Sequence, residues 1–496
     1  MRFHPEARRE RYDVIVVGSG IGGLVAAARL AQTGRRVLVV ERHDRVGGYA
    51  HAFRRGRHLF DSAVHLVGRG LIERVLEGLG VANRCTWLPV EPLYTSSLPG
   101  LTLAAPSGVE AFSEAHVEAF PDQEKGIRSF VTECADIARE TGMAAELGSL
   151  TDVLRTPERF PALLRYRRAT VSQVLEAQVR DPLARAALTS LWPFLGLPPS
   201  RLSFLYWSTM LLSYVADGAV YCQGSFQQLA AALAHAVESR DGEILLRSPV
   251  RRIAVTEGRV TGVVLENGQP ILADTVVSNA DLRQTLFELV GAEHFPRRYA
   301  QRISAMRASI SAFVDYLAVP RELVSGLGHE SFFFSSCDHD EAYRDACRGE
   351  PSWFTATVPS LLDPSLAPRD EHLVMLTTLV ESAAGPWPER KDALTEHLLR
   401  AAEARLPGLR EGLRFCEGAT PRTMERYTRN EAGAIYGFEL SPTQIGPGRP
   451  EHAAPLPGLY LAGHWTQPGG GITGVVTSGL QCAQRILGES GPDSPS

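Results

Sequence analysis

Residues 12–48 read YDVIVVGSGIGGLVAAARLAQTGRRVLVVERHDRVGG and contain all the elements of one supersecondary unit. A β-branched run at 12–17 is followed at once by a glycine-rich turn and by an Ala/Leu-rich helical pattern through residue 33. A second β-branched run follows at 36–40. Strand, glycine turn, helix and strand in this order predict a dinucleotide-binding βαβ unit of the Rossmann type.

The glycines of this unit have the spacing G-x-G-x-x-G on Gly18, Gly20 and Gly23. The first permits the tight turn, the second lets the backbone approach a pyrophosphate, and the third lets the helix pack close to the strand. Gly22 lies in the same turn and is a further candidate contact. The N-terminus of the helix would then face the phosphates, so the backbone itself favours anion binding.

Glu41 ends the second predicted strand, at the spacing expected of an acid that binds ribose hydroxyls. A carboxylate there repels a 2′-phosphate, so NADP is not expected. Gly47 and Gly48 follow six and seven residues later. With the basic residues Arg42 and Arg45, this pair resembles the R-x-G-G element of flavoproteins with two dinucleotide-binding domains. The sequence therefore predicts FAD as the cofactor.

A second glycine cluster lies in the sequence GLYLAGHWTQPGGGITGV at residues 458–475. A short strand runs into these glycines, and a helix is predicted at 475–487. Its N-terminus offers bare backbone N–H groups where a flavin ring and ribityl chain would lie. A β-meander is predicted between the two glycine clusters, with strands at residues 251–256, 259–265 and 270–277.

The length is that of a large enzyme, since 496 residues exceed the size of a single-core domain. A net charge of −5 without a long basic run argues against a nucleic-acid partner. Seven cysteines without C-x-x-C spacing indicate a reduced, cytoplasmic chain. Cys337, His339 and Cys347 lack ligand spacing, so no metal is expected. Residues 1–11 have no apolar core of a signal peptide and are expected to form a solvated, arginine-rich arm.

One long apolar segment, residues 202–221, contains Phe204 and Trp207 but is interrupted by serine, threonine, aspartate and glycine. This segment has three possible interpretations: a membrane-spanning helix, a buried helix that lines a pocket, or a patch that inserts into a bilayer surface. The polar interruptions favour the last two. If the segment is a docking patch, Phe204 and Trp207 are the side chains that would enter the bilayer.

Together these motifs resemble the phytoene desaturase, carotenoid isomerase and retinol saturase family of FAD-dependent oxidoreductases. The resemblance covers nearly the whole chain and rests on residues 12–48, 60–65 (FDSAVH), 277–281 (VSNAD), 359–368 and 468–472 (PGGGI). It implies an α/β, two-dinucleotide-binding-domain fold of the Rossmann type, with a β-meander and a discontinuous α+β substrate domain. The FAD-binding domain would comprise residues 1–100, 221–300 and 420–490, the substrate domain residues 101–220 and 301–419, and a disordered tail residues 491–496.

Carried over position by position, the resemblance implies a set of FAD contacts along the chain. They are Gly18, Gly20, Gly22, Gly23, Glu41, Arg42, Gly47, Gly48, Val250, Gly463, His464, Gly470, Gly471 and Ile472. Val250 would bind adenine through its backbone. His464 departs from the pattern, because many flavoproteins have an acid after this glycine, although a histidine can donate a similar bond.

Two side chains are candidates for catalysis. His65 would reach from a strand at residues 60–65, where the chain resembles the F-D-x-x-x-H of retinol saturases. Tyr436 lies in the sequence GAIYG, just ahead of the C-terminal strand. Each of the two can also be read as a structural hydrogen-bonding group at a domain junction.

The function implied is oxidation or reduction of an apolar conjugated substrate, a carotenoid-like polyene, by desaturation, saturation or flavin-dependent isomerisation. Cyclisation or reduction of a polyene natural product stays open, as does the electron acceptor. An amine or amino-acid oxidase is an alternative. Many of those enzymes place a lysine, through water, at flavin N5, but Lys125 and Lys391, the two lysines of this chain, both lie in charged helical contexts. A non-catalytic prenyl-lipid carrier is another, but it has no use for Glu41. Because an apolar substrate resides in lipid, we expect a cytoplasmic protein with a peripheral membrane contact.

Overall fold

The computed structural model describes residues 6–147 and 150–488, so the predicted tail at 491–496 lies outside the described residues. The strands are β1 (Arg11–Tyr12), β2 (Val14–Val17), β3 (Val37–Val40), β4 (Ala52–Arg55), β5 (His58–Asp61), β6 (Val67–Gly68), β7 (Trp87–Val90), β8 (Tyr94–Leu98), β9 (Leu101–Ala105), β10 (Ala219–Cys222), β11 (Glu243–Leu245), β12 (Val250–Thr256), β13 (Arg259–Leu265), β14 (Pro270–Ala273), β15 (Val276–Ser278), β16 (Ser311–Pro320), β17 (Glu330–Phe334), β18 (Trp353–Thr357), β19 (Glu371–Val380), β20 (Phe415–Ala419) and β21 (Leu459–Leu461).

The helices lie between these strands in the chain, and several of them form the long connections from β9 to β10 and from β19 to β20. They are α1 (Ile21–Gln32), α2 (Arg69–Gly78), α3 (Val109–Ala119), α4 (Glu124–Leu147), α5 (Leu150–Arg155), α6 (Pro161–Tyr166), α7 (Val171–Glu176), α8 (Pro182–Leu188), α9 (Phe204–Val215), α10 (Gln227–Glu238), α11 (Arg297–Ala305), α12 (His339–Arg348), α13 (Trp387–Glu403), α14 (Leu409–Gly412), α15 (Pro421–Thr428) and α16 (Gly471–Leu487). A π-helix spans Gln284–Val290.

The Rossmann-type unit is a five-stranded parallel sheet in the order β11-β3-β2-β15-β21. Alternate side chains of β2 point to opposite layers. Val14 and Val16 pack in the cluster that contains α1, whereas Ile15 and Val17 pack in the cluster that contains the meander. Cover on both faces explains why these strands are uninterrupted apolar runs. The predicted α/β fold is confirmed.

The meander differs from its prediction in one strand. The stretch 270–277, predicted as a single strand, divides at Asp274 into β14 and β15. Strand β14 pairs with β13 in a four-stranded sheet, while β15 leaves that sheet and pairs with β2. All three residues of β15 are buried, as in a strand covered on both faces, and period-two reasoning cannot separate such a strand from the preceding meander strand.

A seven-stranded sheet in the order β20-β16-β19-β18-β17-β8-β9 forms the other half of the molecule. One face packs against α13 and α14, through Phe313 and Leu317 of β16 and Phe354 of β18. The alternate residues of the same strands, such as Ala312 and Trp353, face the opposite side and line the candidate site. The sheet thus separates a helical layer from the site.

The apolar segment at 202–221 contributes α9, a helix of the protein interior. Phe204 and Trp207 are 0% exposed and contact α4 and its neighbours, so they cannot enter a bilayer and the docking-patch interpretation of these two residues is wrong. Partly exposed Tyr214 of the same helix lines the candidate site, as the pocket-lining alternative requires. Within residues 6–147 and 150–488, no helix has both the length and the apolarity needed to cross a membrane.

The N-terminal arm is also corrected over its described part. Arg8 and Arg9 form ion pairs with Asp241 and the buried Glu243, rather than lying free in solvent. Burial of the Glu243 carboxylate at the edge of the parallel sheet requires such partners. The division into an FAD-binding and a substrate domain remains our proposal; the parallel sheet takes its strands from all three segments assigned to the former.

Candidate functional site

One long cleft lies between the two large sheets. It is lined by all the predicted cofactor and catalytic residues except Gly23 and Gly470: Gly18, Gly20, Gly22, Glu41, Arg42, Gly47, Gly48, His65, Val250, Tyr436, Gly463, His464, Gly471 and Ile472. Residues that are more than 400 positions apart in the chain therefore meet at one surface, as residue 18 and residue 464 do.

The first glycine turn joins β2 to α1 where space is most limited. Gly18 has a φ of +92°, which L-residues rarely adopt. A methyl group on Gly22 would lie 2.9 Å from the Cα of Gly463, and one on Gly23 would lie 2.5 Å from the carbonyl oxygen of Gly18. Gly20 precedes α1 without a side-chain cap, so the first N–H groups of the helix stay free for an anion.

The second glycine pair is tied to this turn through Ser19. The N–H of Gly47 donates to the carbonyl of Ser19 over 2.9 Å. The Glu41 carboxylate is 9% exposed and accepts bonds from the N–H and the hydroxyl of Ser19, at 2.8 and 2.7 Å, and from the N–H of His43. A carboxylate offers about four acceptor positions, so Glu41 keeps capacity for a ribose hydroxyl.

The C-terminal cluster brings a second helix to the same place. Helix α16 begins at Gly471, earlier than the predicted residue 475, and its cap Gly470 makes no side-chain bond. A methyl group on Gly479 would lie 2.5 Å from the carbonyl oxygen of Gly22, so α16 and α1 are in backbone contact. Two uncapped helix N-termini therefore open onto one cleft, with Glu41 at its side and Val250 beyond. This donor set fits FAD.

Arg42 and Gly470, both implied FAD contacts, also have structural contacts within the protein. Arg42 lines the cleft, but its guanidinium donates to the backbone carbonyls of Arg426 and Tyr427. Gly470 does not line the cleft, and a methyl group there would lie 2.9 Å from the Cβ of Tyr436. Gly470 thus leaves room for the tyrosine, and Arg42 anchors the end of α15.

The backbone at His464 is held in place by a buried arginine, Arg449. The Arg449 side chain is 0% exposed and donates to the backbone carbonyls of Tyr436, Phe438, Glu439, Gln444, His464 and Thr466. Burial lowers the pKa of Arg449 to about 10, so the guanidinium stays charged at neutral pH. Burial and this charge lower the pKa of His464 to about 3. The imidazole beside the glycine cluster is therefore neutral.

His65 lies in the irregular stretch after β5, not on the strand predicted at 60–65, because β5 ends at Asp61. Its Nδ1 lies 3.3 Å from Oε1 of Glu330 and 3.1 Å from Oγ1 of Thr357. The hydroxyl of Thr357 donates to the other oxygen of Glu330 over 2.8 Å. These partners place a proton on Nδ1 and leave Nε2 open to the cleft, since no described residue bonds to it.

Tyr436 is less free than His65. Its hydroxyl donates to the carbonyl of Pro193 over 3.3 Å, and its N–H donates to the hydroxyl of Ser309. Burial raises its pKa, so the hydroxyl is protonated at neutral pH. The nearby Tyr206 donates to the carbonyl of Gly470 over 2.7 Å. Tyr436 thus lines the cleft, and its hydroxyl also makes a hydrogen bond within the protein.

The part of the cleft beyond the glycine clusters is apolar and aromatic. Its walls are Pro193, Phe194, Tyr214, Ala312, Val314, Trp353, Leu379 and Met424, with the hydroxyl-bearing Thr355 and Thr377 among them. We call this part the apolar arm. The ring of Phe194 contacts the rings of His65 and Tyr214, at centroid distances of 6.2 and 6.1 Å. The arm is therefore continuous with the place where His65 presents its free nitrogen.

Several site residues were not predicted from the sequence. Asn279 lies within the VSNAD motif, and its side chain packs against Gly18, Gly20 and Gly463, a position that the motif could have indicated. Glu330 and Thr357 carry no local signal. The trio Cys337, His339 and Cys347 forms no metal cluster, and none is found among the described residues; His339 bonds the carbonyl of Ala186 instead.

The family of the chain follows from comparison with known proteins. The profile of the flavin-containing amine oxidoreductases matches residues 21–487. The chain belongs to this family. It is an FAD-dependent oxidoreductase by family, and the glycine turns and Glu41 described above are the features that fit the cofactor.

Three relatives cover almost the full chain. Prolycopene isomerase 1 of an Oncidium hybrid cultivar is 28% identical over 97% of this chain and 85% of its own. The neurosporene-forming phytoene desaturase of Rhodobacter capsulatus is 28% identical over 97% of this chain and 95% of its own. The all-trans-retinol 13,14-reductase of Danio rerio is 26% identical over 96% and 86%. The resemblance noted in the sequence is thereby confirmed.

The fold has solved counterparts. An oxidoreductase from Methanosarcina mazei superposes with a TM-score of 0.65 at 18% identity, over 96% of this chain and all of that one. At this identity the likeness establishes the fold alone.

Proposed function

We propose that this FAD-dependent oxidoreductase acts on an apolar conjugated polyene, by desaturation, saturation or flavin-dependent isomerisation. The observation that carries the proposal is the apolar arm. It continues from the glycine clusters, and none of the residues named as its walls, from Phe194 to Leu379, is charged. The relatives that act, by their names, on prolycopene, phytoene and retinol support it. Cyclisation or reduction of a polyene natural product would use the same arm.

In this proposal, bound FAD supplies the redox chemistry. The chain supplies the apolar arm, which would orient the polyene, and one proton-handling group. His65 fits that group best, because Glu330 and Thr357 fix its ring and its Nε2 is free. Tyr436 is the second candidate, as a protonated donor whose present bond to Pro193 is long.

The amine oxidase alternative has less support. Lys391 lies on α13, on the side of the seven-stranded sheet away from the cleft, and Lys125 lies on α4. Neither lines the cleft among the described residues. A prenyl-lipid carrier has less support as well, because Glu41 and both uncapped helix N-termini remain.

We also propose a peripheral membrane contact, on a different surface from Phe204 and Trp207. Leu154 at the end of α5 is 57% exposed, the highest value among the large apolar side chains that are exposed in the described residues. Exposed Arg159, Arg165 and Arg167 follow it around α6. An exposed apolar side chain followed closely in the sequence by exposed arginines suits the headgroup region of an anionic leaflet.

The test is the visible spectrum of the purified protein. We expect a yellow protein whose flavin band changes when conjugated polyenes such as phytoene, prolycopene and retinol are added anaerobically, first to the oxidised and then to the reduced protein. Bleaching of the oxidised form indicates desaturation; turnover only from the reduced form indicates saturation, isomerisation or reductive cyclisation. No response to any polyene, with a rapid response to an amine, would contradict the proposal.

A further inference from the structure

The apolar arm contains hydrogen-bonding atoms without a partner. Trp353 Nε1, Thr355 Oγ1 and Thr377 Oγ1 are buried and make no hydrogen bond in the structure. The hydroxyl of Tyr214 has no bond to any described residue either, although the residue lines the cleft. Unpaired polar groups are rare in protein interiors because they lose their bonds to water on burial.

These atoms lie on one wall for a simple geometric reason. Trp353 and Thr355 are two residues apart on β18, so their side chains share a face of the sheet, and both are 2% exposed. Thr377 of β19 pairs directly with Thr355. All three line the cleft, next to the apolar Val314 and Leu379.

Phe194 connects this wall to Tyr214 and His65. Its ring contacts Tyr214 at 6.1 Å and Phe332 at 5.4 Å, and Phe332 pairs with Thr355. The unpaired atoms therefore surround one region of the arm. Other buried indoles of the chain differ: Trp387 and Trp465 have partners for Nε1, whereas Trp192 and Trp207 lack partners but do not line the cleft.

The chemistry of the unpaired atoms defines what they can bind. An indole N–H only donates, and threonine and tyrosine hydroxyls donate and accept. Burial raises the pKa of Tyr214, so its hydroxyl keeps its proton at neutral pH. No lysine or arginine belongs to this wall of the described cleft, which leaves a carboxylate without a counter-charge. The complementary group is a neutral oxygen.

We infer that the substrate is an oxygenated polyene, and that its hydroxyl or carbonyl oxygen binds in the apolar arm to Tyr214 and to the Trp353, Thr355 and Thr377 wall. A pure hydrocarbon would leave all four groups unpaired in the complex. The inference rests on the proposed function and narrows its substrate class. It assigns specificity, not the redox step, to these residues.

The test compares three ligands of equal chain length on the FAD-loaded enzyme: all-trans-retinol, all-trans-retinal and the hydrocarbon in which hydrogen replaces the hydroxyl of retinol. Dissociation constants come from anaerobic titration of the flavin spectrum. We expect the alcohol or the aldehyde to bind at least tenfold more tightly than the hydrocarbon. Tyr214→Phe, and the double variant Thr355→Val with Thr377→Val, should reduce that ratio to about twofold or less, mainly by weakening the oxygenated ligand.

Matched controls have the same changes outside the cleft. Thr378→Val removes a hydroxyl that bonds the carbonyl of Trp353 on the opposite face of β19, and Tyr343→Phe removes one on α12. Both should keep the wild-type ratio. Equal affinity for alcohol, aldehyde and hydrocarbon, or a ratio that the cleft variants do not change, would overturn the inference and leave the proposed function standing. No spectral response to any of the three ligands would overturn the inference, and the absence of a response to phytoene and prolycopene as well would overturn both.

Discussion

Nδ1 of His65 lies 3.3 Å from Oε1 of Glu330, a carboxylate whose side chain is 0% exposed. The two residues are 265 positions apart in the chain, and Thr357 bonds to both of them. A buried carboxylate behind an imidazole fixes the ring and stabilises the imidazolium that forms when Nε2 takes a proton. The pair therefore has the arrangement of a histidine base with an orienting carboxylate, at the wall of the cleft.

His65→Gln should lower the rate of polyene turnover about 10²-fold or more, the usual range for loss of a general acid or base. Glu330→Gln keeps the shape but not the charge, and should cost less than His65→Gln. Turnover is measured on protein with equal flavin content. His58→Gln is the matched control, because His58 pairs with Glu371 at 2.6 Å and does not line the cleft. An unchanged rate in His65→Gln would remove His65 from the mechanism.

Glu41→Ala should purify with much less flavin. The change removes charge-assisted bonds to a ribose hydroxyl, worth about 1.5–3 kcal/mol, and also the acceptor for Ser19. The ratio of flavin to protein absorbance measures the loss, and circular dichroism checks the fold. Glu77→Ala, on the exposed side of α2, should keep full occupancy. Full occupancy in Glu41→Ala as well would mean that the nucleotide lies elsewhere.

Features that depend on interactions within a few residues could be predicted from the sequence, and features that depend on remote contacts could not. The β2–α1–β3 unit and the glycine clusters were recognised because their spacing is set by backbone geometry within a few residues. Glu330, Thr357 and Thr377 were not recognised, since only strand pairing across the seven-stranded sheet brings them to the cleft. Neither composition nor periodicity encodes such pairing.

The errors have the same origin. The sequence makes Phe204 and Trp207 candidates for a membrane patch, because a helix that is apolar on most sides does not show from sequence alone which side is buried. Tertiary packing against α4 decided their burial. The resemblance predicts a strand through His65, yet the strand ends at Asp61, whose carboxylate accepts bonds from Tyr221 and Phe226. Those partners are likewise remote in sequence.

Leu154→Glu should weaken binding to vesicles that contain phosphatidylserine. The proposed patch combines this exposed leucine with the arginines around α6, and a glutamate opposes both contributions. Cosedimentation with vesicles of phosphatidylcholine and phosphatidylserine measures the effect. Leu272→Glu is the control, because Leu272 is 45% exposed on β14 of the four-stranded sheet and so belongs to neither α5 nor α6. Cosedimentation that Leu154→Glu leaves at the wild-type level would exclude this patch.

Asp315→Asn should stabilise the protein at alkaline pH. Asp315 is 0% exposed on β16, and burial raises its pKa to about 7, although Thr395 donates to it and Lys391 lies near. Because the folded pKa is above the unfolded value of about 3.9, the stability from this group is complete below about pH 4 and is lost as the pH rises towards 7. About three pKa units, at about 1.4 kcal/mol each, correspond to a gain of up to about 4 kcal/mol for the variant at pH 8.

Asp13→Asn should behave in the opposite way and is therefore the matched control. Arg36 pairs with Asp13 at 2.7 Å and lowers the pKa of that carboxyl, so its contribution is present at neutral pH and is lost as the pH falls. Midpoints of thermal unfolding at pH 5 and pH 8 separate the two cases. The gain from Asp315→Asn should grow between these values, while Asp13→Asn should be destabilising at pH 8. A pH-independent effect of Asp315→Asn would show that this carboxyl does not titrate with folding.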